Sequence, residues 1–531
     1  MSTTRGALQR VDWRFLLPTA RVGRSVSFAG NGLMRGLVLI SDQASTPNAT
    51  AQGSCELAVA IDPDAATLRA AAAALAPDGW CYTEWYSPLA GGASAIRRRL
   101  ARAGLADVAC YWPWPPPARA RTRLWVPLEA PGALRYFLTT RPPPRQPLLR
   151  VARAVAREAW GLAARQGLVF PVCAIARKPG QGSQPPGCTL PAGLAPALRG
   201  RPLELVRRRW SSWGFGPTPE RLSWLLLTIG VRLENKVVGL VFAEPDPRPR
   251  LVVKLGRVAE VDERLRREAR TLAALAELEP GGVPGVPRLL FCEPGAEGLT
   301  LGQSSLAGER IFTWLRPHNA RELALLAADW SARLVRRGSA SPPTEWWPRL
   351  VEPILAEFER LYGSVTDPAA LAECVRRLRT LGPLPSAIEH RDFGWWNMLL
   401  APRRSLAVLD WETAEIRGLP GLDLFYFTYF LSALLDGSDR YHGYRETLHR
   451  SLDPTTPTGR IQAECIDRYW RAAGLDPAAV HPLRLLTWML QAGSDYRDIA
   501  DRCGGTPGPD DLRNGLYFAL WEQELRYAHP R

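Results

Sequence analysis

Lysine is almost missing from this 531-residue chain: of 67 basic residues, only Lys178, Lys236 and Lys254 are lysines. Arginine is the default cation, so a retained lysine marks a place where a compact ammonium is needed and a planar guanidinium does not fit. Long apolar runs are also lacking. The longest nearly uncharged one, Leu424 to Leu435, has twelve residues, short of the roughly 20 that span a bilayer. The opening MSTTRGALQRVDWRFLLP has no apolar core of signal-peptide length. No C-x-x-C occurs among the nine scattered cysteines, which disfavours zinc sites and disulfide scaffolds and fits a reducing, cytoplasmic setting. Long basic runs are absent too. The net charge of +15 is spread along the chain, with arginines alternating with acids as in 262-DERLRREAR-270, and no nucleic-acid partner is expected.

What is present is globular: 46% hydrophobic and 22% charged residues. At roughly 150 residues per domain the length suggests two to four domains. The Pro/Gly-rich stretches 140-TRPPPRQP-147, 178-KPGQGSQPPG-187 and 191-PAGLAPALRGRP-202 punctuate the chain. The second is the better linker, since it mixes Gly, Ser, Gln and Pro without apolar periodicity. We therefore expect a first domain over 1–180, a linker over 181–204, and a second region whose β-rich lobe covers 205–315 and whose helical lobe covers 316–531.

In the first domain, strands are predicted at 25–30, 37–41, 57–61, 80–85 and 169–177, alternating with helices at 64–76, 92–104 and 148–166. That alternation predicts an α/β domain with a mostly parallel sheet. The second region opens with three strands, 223–230, 237–244 and 250–256, whose short connections imply an antiparallel meander. A charged helix follows at 260–278, with Val261, Leu265, Leu272 and Leu275 on one face. From about residue 318 the pattern is helical, interrupted by strands at 385–390 and 405–410.

The densest chemical signal is 387-AIEHRDFGWWNMLLAPRRSLAVLDWE-412. Folded as a hairpin about residues 403–404, this stretch puts Asn397 opposite Asp410, so that an amide oxygen and a carboxylate converge. Such hard ligands suit Mg²⁺ together with substrate phosphates. Asp392, in the preceding loop, is left to accept a proton. Phosphoryl transfer asks for this set, together with a cation on the non-transferred phosphates. Lys254, within 251-LVVKL-255, lies in a predicted buried strand, where an ammonium is costly unless paired. Glu268 on the next helix is the preferred partner, because it turns inward beside Leu265 and Leu272; Glu263 competes. His390-Arg391-Asp392-Phe393 followed by Asn397 matches the kinase pattern H-R-D-L-x-x-x-N.

At these residues the chain, from about 205 to 528, resembles the aminoglycoside phosphotransferase and choline kinase branch of the protein-kinase-like fold. That family's loop reads H-G-D-x-x-x-x-N, followed by a strand ending in I-D-W or a close variant. Here it is His390-Arg391-Asp392 to Asn397, then Leu409-Asp410-Trp411. The resemblance implies ATP and Mg²⁺ as cofactors and a hydroxyl on a small molecule as acceptor, of the sugar, aminoglycoside or amino-alcohol class. It also implies Asp392 as catalytic base, Asn397 and Asp410 as Mg²⁺ ligands, and Lys254 on the phosphates, paired with Glu268. Asp423, in 419-LPGLDLFYF-427, would anchor the loop. Asn235 and Lys236 would belong to a phosphate-covering hairpin at 229–239, and the adenine hinge would fall near 301–310. Trp395, Trp396, Trp411 and Tyr426 are candidates for the acceptor side or for core.

The first domain resembles a class I methyltransferase less fully. Gly30 and Gly32 in 30-GNGLMRG-36 would form its cofactor turn and Asp42 would be its acidic residue. The turn leaves no room for that family's first helix, so a degenerate Rossmann-like module is expected, without S-adenosylmethionine. In 109-ACYWPWPPPARARTRLWVPLEAPGALRYF-137, Trp112, Trp114 and Trp125 suggest either a ligand-lining loop or a Pro-rich loop packed on the sheet. The reading is an α/β module followed by a bilobal kinase-like α+β region, the whole an ATP-dependent small-molecule phosphotransferase. The alternatives are a catalytically silent nucleotide-binding regulator and a methyltransferase with an accessory kinase-like domain.

Overall fold

A computed structural model describes residues 3–47, 52–88, 91–116, 122–140, 169–180, 201–229, 236–279, 281–295, 298–401, 404–438 and 443–527. The expected helix at 148–166, most of the Pro/Gly-rich linker and Asn235 lie outside the described residues. The chain divides within one helix into two compact units. One holds Thr3–Arg266 with Leu289–Ser305, and the other holds Arg267–Arg288 with Leu306–Arg531.

The first unit begins with α1 (Thr3–Arg10) and β1 (Val22–Ser27). A helix follows, α2 (Asn31–Ile40), where a glycine turn and a strand at 37–41 were expected. The reason is periodicity. Leu33, Leu37 and Ile40 recur at helical spacing and are all buried. Gly30 is the residue before the helix and Gly32 lies inside it, and the first helix thought to lack room occupies those residues. Asp42 sits on β2 (Ser41–Ser45), exposed and facing Arg21 at 3.6 Å.

The remaining elements are β3 (Cys55–Ile61), α3 (Ala65–Ala74), β4 (Leu75–Trp85), α4 (Ala93–Arg102), β5 (Ala106–Trp114), β6 (Thr122–Pro127), α5 (Pro131–Thr139), β7 (Val172–Arg177) and α6 (Arg201–Arg209). Strands β2-β1-β3-β4 are neighbours and parallel, as the βα alternation predicted. β7 then runs antiparallel between β4 and β5. Side chains alternate between two cores. Leu57, Val59, Tyr82 and Ile175 join α2 in one, while Ala58, Cys81, Ala174 and Ala176 join α3 and α4 in the other. The segment read as an aromatic loop is in fact the β5–β6 hairpin, with Trp112 and Trp125 buried.

The meander predicted at 223–256 forms as β8 (Leu222–Ile229), β9 (Val237–Ala243) and β10 (Pro249–Leu255), all antiparallel. Helix α7 (Ala259–Leu278) follows, then β11 (Leu289–Gly295) and β12 (Gly298–Ser304). These strands do not form a sheet of their own. β6 pairs with β8 through Leu124↔Leu227 and Trp125↔Leu226, giving one sheet of twelve strands, β11-β12-β10-β9-β8-β6-β5-β7-β4-β3-β1-β2. Side chains reinforce the join. The Trp125 indole N–H donates to Thr228 Oγ1 (2.9 Å), and the Thr228 hydroxyl donates to Asp12 (3.0 Å). Glu244 accepts from the first backbone amides of α5, Gly132 N at 2.7 Å and Ala133 N at 3.3 Å, and so caps that helix from β9's end.

The second unit is mainly helical: α8 (Ile311–Trp314), α9 (Ala320–Ala332), α10 (Pro343–Trp346), α11 (Glu352–Tyr362), α12 (Pro368–Leu378), α13 (Leu422–Asp436), α14 (Tyr444–Leu452), α15 (Pro457–Ala473), α16 (Val480–Cys503), α17 (Pro509–Arg513) and α18 (Leu516–Tyr527). Two small sheets interrupt it. β13 (Glu309–Arg310), β16 (Met398–Ala401) and β17 (Ser405–Val408) form one, and β14 (Val335–Ser341), β15 (Leu384–Glu389) and β18 (Glu415–Gly418) form the other. Among the described residues no helix is long and apolar enough to cross a membrane.

Candidate active site

The site grows out of β15. Its last residue is followed by His390, Arg391 and Asp392, a single 3-10 turn at Trp395–Asn397, and the β16–β17 hairpin. In that hairpin Met398 faces Val408, and Leu409 N–H donates to the Asn397 carbonyl (2.9 Å), so Asn397 and Asp410 emerge side by side at its open end. Gly285, at φ +83°, lets an incoming turn lie directly on β17, where Val408 N–H donates to its carbonyl (2.8 Å). An added Cβ there would stand 1.9 Å from the Leu406 carbonyl oxygen.

The loop is tied down by buried acids. Asp423, at the start of α13, accepts the backbone N–H of His390 (2.5 Å) and of Arg391 (2.8 Å). Burial pushes its carboxyl up to about 7 even so. His390 is buried; its Nε2–H donates to the Leu409 carbonyl (2.8 Å) and its Nδ1 accepts Asp392 N–H (3.2 Å). One imidazole therefore joins the loop to the strand that presents Asp410.

Arg391 stands where the resembled family carries glycine, and its φ is +64°. The left-handed region is costly for a side chain, and Arg391 is held there at three points. Its N–H goes to Asp423, its carbonyl accepts from Gln491 Nε2 (3.0 Å), and its Nε donates to the buried Glu389 (2.8 Å). Asp410 is also left-handed, at φ +69°. A left-handed residue just before Asp392 and another at Asp410 mark a backbone shaped for these carboxylates.

Asp392 is the centre of this arrangement. Its Oδ1 accepts from the Trp396 indole N–H (3.1 Å) and the Tyr426 hydroxyl (3.2 Å), and its Oδ2 accepts from Asn397 Nδ2 (2.8 Å). Burial, reinforced by the negative charge of Asp410, raises its carboxyl to about 6 against those three donors. Asn397 Nδ2 also donates to the Asp392 carbonyl (3.0 Å), which leaves Oδ1 as the amide's acceptor atom. That oxygen and the Asp410 carboxylate are hard donors of the kind Mg²⁺ takes. Among the described residues no group of three His, Cys, Asp or Glu side chains could hold a metal ion. The protein's share of an ion here would be these two oxygens, with phosphates and water completing the shell. The donor set fits.

The second unit thus brings together Asp392, Asn397, Asp410 and Glu268. Glu268 is fully buried and accepts the backbone N–H of Trp411 (3.3 Å), the residue after Asp410. Glu263, the competing choice, is half exposed and faces Arg266 at 3.5 Å. Lys254 belongs to the first unit. It is 4% exposed on β10, between Val238 of β9 and Leu301 of β12. Lys236 is half-buried just before β9. The segment assigned to the adenine hinge is the end of β12 and the connection to β13.

Trp411 is core, fully buried against His390 at 4.6 Å between ring centres. Trp396 and Tyr426 are the residues whose bonding to Asp392 the sequence left open between acceptor side and core. The bonds that Arg391 makes with Glu389 and Gln491 were not foreseen.

Residues 239–483 match the Phosphotransferase enzyme family, and the resemblance carried by the 390–411 motif holds for that segment. Solved structures similar to the chain include an aminoglycoside phosphotransferase from Alicyclobacillus acidocaldarius (13% identity, 55% of this chain and 87% of that one, TM-score 0.33). Another is APH(3'')-Id from Streptomyces rimosus in complex with ADP and streptomycin (15%, 54% and 97%, 0.34). A third is a thermostable mutant of APH(4)-Ia with ADP and hygromycin B (15%, 61% and 100%, 0.35). No curated protein matches the sequence.

Proposed function

We propose that this chain transfers the γ-phosphoryl group of ATP to a hydroxyl of a small molecule, with residues 205–315 and 316–531 acting as kinase-like lobes. One observation carries the reading. Asp392 is held by three side-chain donors, and its carboxyl titrates near 6. Such a group is ionised at neutral pH and still basic enough to accept a proton in a transition state. As the acceptor oxygen bonds to the γ-phosphorus, its proton passes to Asp392 while the bond from phosphorus to the leaving oxygen of ADP breaks. The products are a phosphate monoester and ADP.

Asn397 Oδ1 and the Asp410 carboxylate would hold Mg²⁺, which when bound neutralises phosphate charge. Lys254 is assigned to the non-transferred phosphates and Lys236 to the loop covering them. His390 and Asp423 fix the loop that carries the base.

The test is phosphate transfer by the purified full chain and by Asp392→Ala, over a panel of hydroxyl-bearing metabolites with Mg²⁺ and ATP. Loss of a positioned base is expected to lower kcat by about 10² or more. A variant within tenfold of the parent overturns the assignment of Asp392.

A further inference from the structure

The strand that carries Lys254 is braced from behind. Leu227 of β8 pairs with Val238 of β9, and Val238 pairs with Lys254 of β10, so these three side chains stand in one row on one face of the sheet. Thr228 follows Leu227 and points to the opposite face. There the 3-10 turn Asp12–Leu16 packs, its Phe15 and Leu16 in one core with Leu226, Val241 and Val253. All of these residues belong to the first unit.

Two bonds tie this turn to the meander. At one edge the Thr228 hydroxyl donates to Asp12 (3.0 Å) while accepting the Trp125 indole N–H (2.9 Å). At the other, Arg257, three residues after Lys254, donates from Nη1 to the Arg14 carbonyl (3.1 Å). β8 and the exit of β10 are thereby fixed to one short turn, with β9 between them. Charged groups fill the turn where apolar ones would pack. Asp12 and Arg14 are 1% and 2% exposed. The guanidinium groups of Arg14 and Arg257 lie over the Phe15 ring, at 4.3 and 6.0 Å from its centre. Arg14 also donates to the carbonyls of Leu8 (3.0 Å) and Val11 (3.2 Å). Buried charges rarely add stability over apolar residues of the same volume. What they supply here is a single placement, since a shifted turn would leave a carboxylate or a guanidinium buried without its bonds.

We propose that Asp12 is a positioning residue for ATP: through Thr228 it sets how β8 and β9 lie against β10, and so where Lys236 and Lys254 meet the phosphates. This rests on the assignment of those two lysines in the phosphotransferase reading, and adds that the amino-terminal turn tunes nucleotide affinity. A displacement of about 1 Å by a change far from the chemistry is enough to cost an enzyme much of its rate. The experiment uses the full chain and its variants Thr228→Val, Thr228→Ser and Arg257→Ala. It measures MgATP binding by titration, and the KM for ATP and for the acceptor found in the panel above. Val keeps the shape of Thr without the hydroxyl, and Ser keeps the hydroxyl. Thr228→Val should weaken ATP about three- to tenfold in Kd and KM alike, the effect of one hydrogen bond to a charged group. The acceptor KM should not move, Thr228→Ser should stay within about twofold of the parent, and Arg257→Ala should weaken ATP in the same direction. Equal shifts from Val and Ser, equal losses in the KM for ATP and for acceptor, or a lower melting temperature with ATP affinity unchanged overturn the inference, because the bonds then serve stability alone. Should Thr228→Val not fold, an unchanged ATP affinity in Arg257→Ala overturns it. A parent that binds ATP but transfers nothing, with Thr228→Val weakening that binding, overturns the phosphotransferase reading and leaves the role of Asp12 standing. No ATP binding at all overturns both.

Discussion

Replacing Asp392 by Asn should stabilise the protein while abolishing transfer. The substitution keeps the shape of the side chain and removes its charge. Moving a carboxyl from 3.8 to about 6 means that the fold disfavours the ionised form by about 3 kcal/mol at neutral pH. Two effects reduce the gain. Asp392 is only half-buried, and an amide there would set its own NH₂ against Asn397 Nδ2, now 2.8 Å from Oδ2. About 1–2 kcal/mol remains as the expected gain. The sign follows from linkage. Below about pH 4 the carboxyl is protonated in both folded and unfolded chains and the two proteins should match. Between about 4 and 6 the unfolded chain releases its proton more readily than the folded one, so the parent loses stability, and above about 6 the difference is constant. Thermal unfolding followed by tryptophan fluorescence at pH 4.5, 6 and 7.5 reads this directly. At pH 7.5 the variant should melt about 1–4 °C above the parent, with the gap closing as the pH falls. A variant that melts lower at pH 7.5, or a gap independent of pH, would refute the account of this carboxyl.

Three further outcomes are expected. The kcat/KM of transfer should fall about tenfold for each pH unit below 6 and level off above it, as Asp392 must be ionised to accept the proton; a plateau reaching down to pH 5 would remove it as the base. Arg391→Gly relieves a left-handed backbone worth about 1–2 kcal/mol but strips Glu389, 2% exposed, of its guanidinium at a cost of about 3–5 kcal/mol. The variant should therefore lose about 2 kcal/mol in denaturant titration, and adding Glu389→Gln should restore part of that. Glu244→Ala removes the cap on α5 and the acceptor for the Ser223 hydroxyl, an expected loss of about 1–2 kcal/mol. Glu244→Gln should retain about half of it, as a shift of the urea midpoint would show.

Local signals carried most of what the sequence told correctly. The β8–β10 meander and α7 have clean periods, and the 390–411 stretch combines a loop, a hairpin and three oxygen-bearing side chains within about twenty residues. The failures are places where local pattern is ambiguous or where distant partners decide. Leu37 to Ser41 is a short apolar run that suits strand or helix equally, and burial of Leu33, Leu37 and Ile40 on one face chose the helix. β5 was read as a loop because of its prolines. Pro113 is tolerated because β7 pairs with β5 only as far as Tyr111, so one side of Pro113 owes no ladder hydrogen bond. The bond from Tyr426 to Asp392 depends on the placing of α13, which no spacing rule fixes. The pairing of β6 with β8 joins residues about a hundred positions apart and leaves no trace in either segment alone.

That pairing has a consequence for how the protein can be taken apart. A cut between residues 180 and 201 looks on paper like a clean division into two genes' worth of protein. In the folded chain it would rip an open seam, baring the N–H and C=O groups of β8 along Leu226 to Ile229, a template for sticking to other molecules. The strand bearing Lys254 lies only two neighbours further in. Whatever the amino-terminal half does for itself, it is also the splint against which the lysine strand is set.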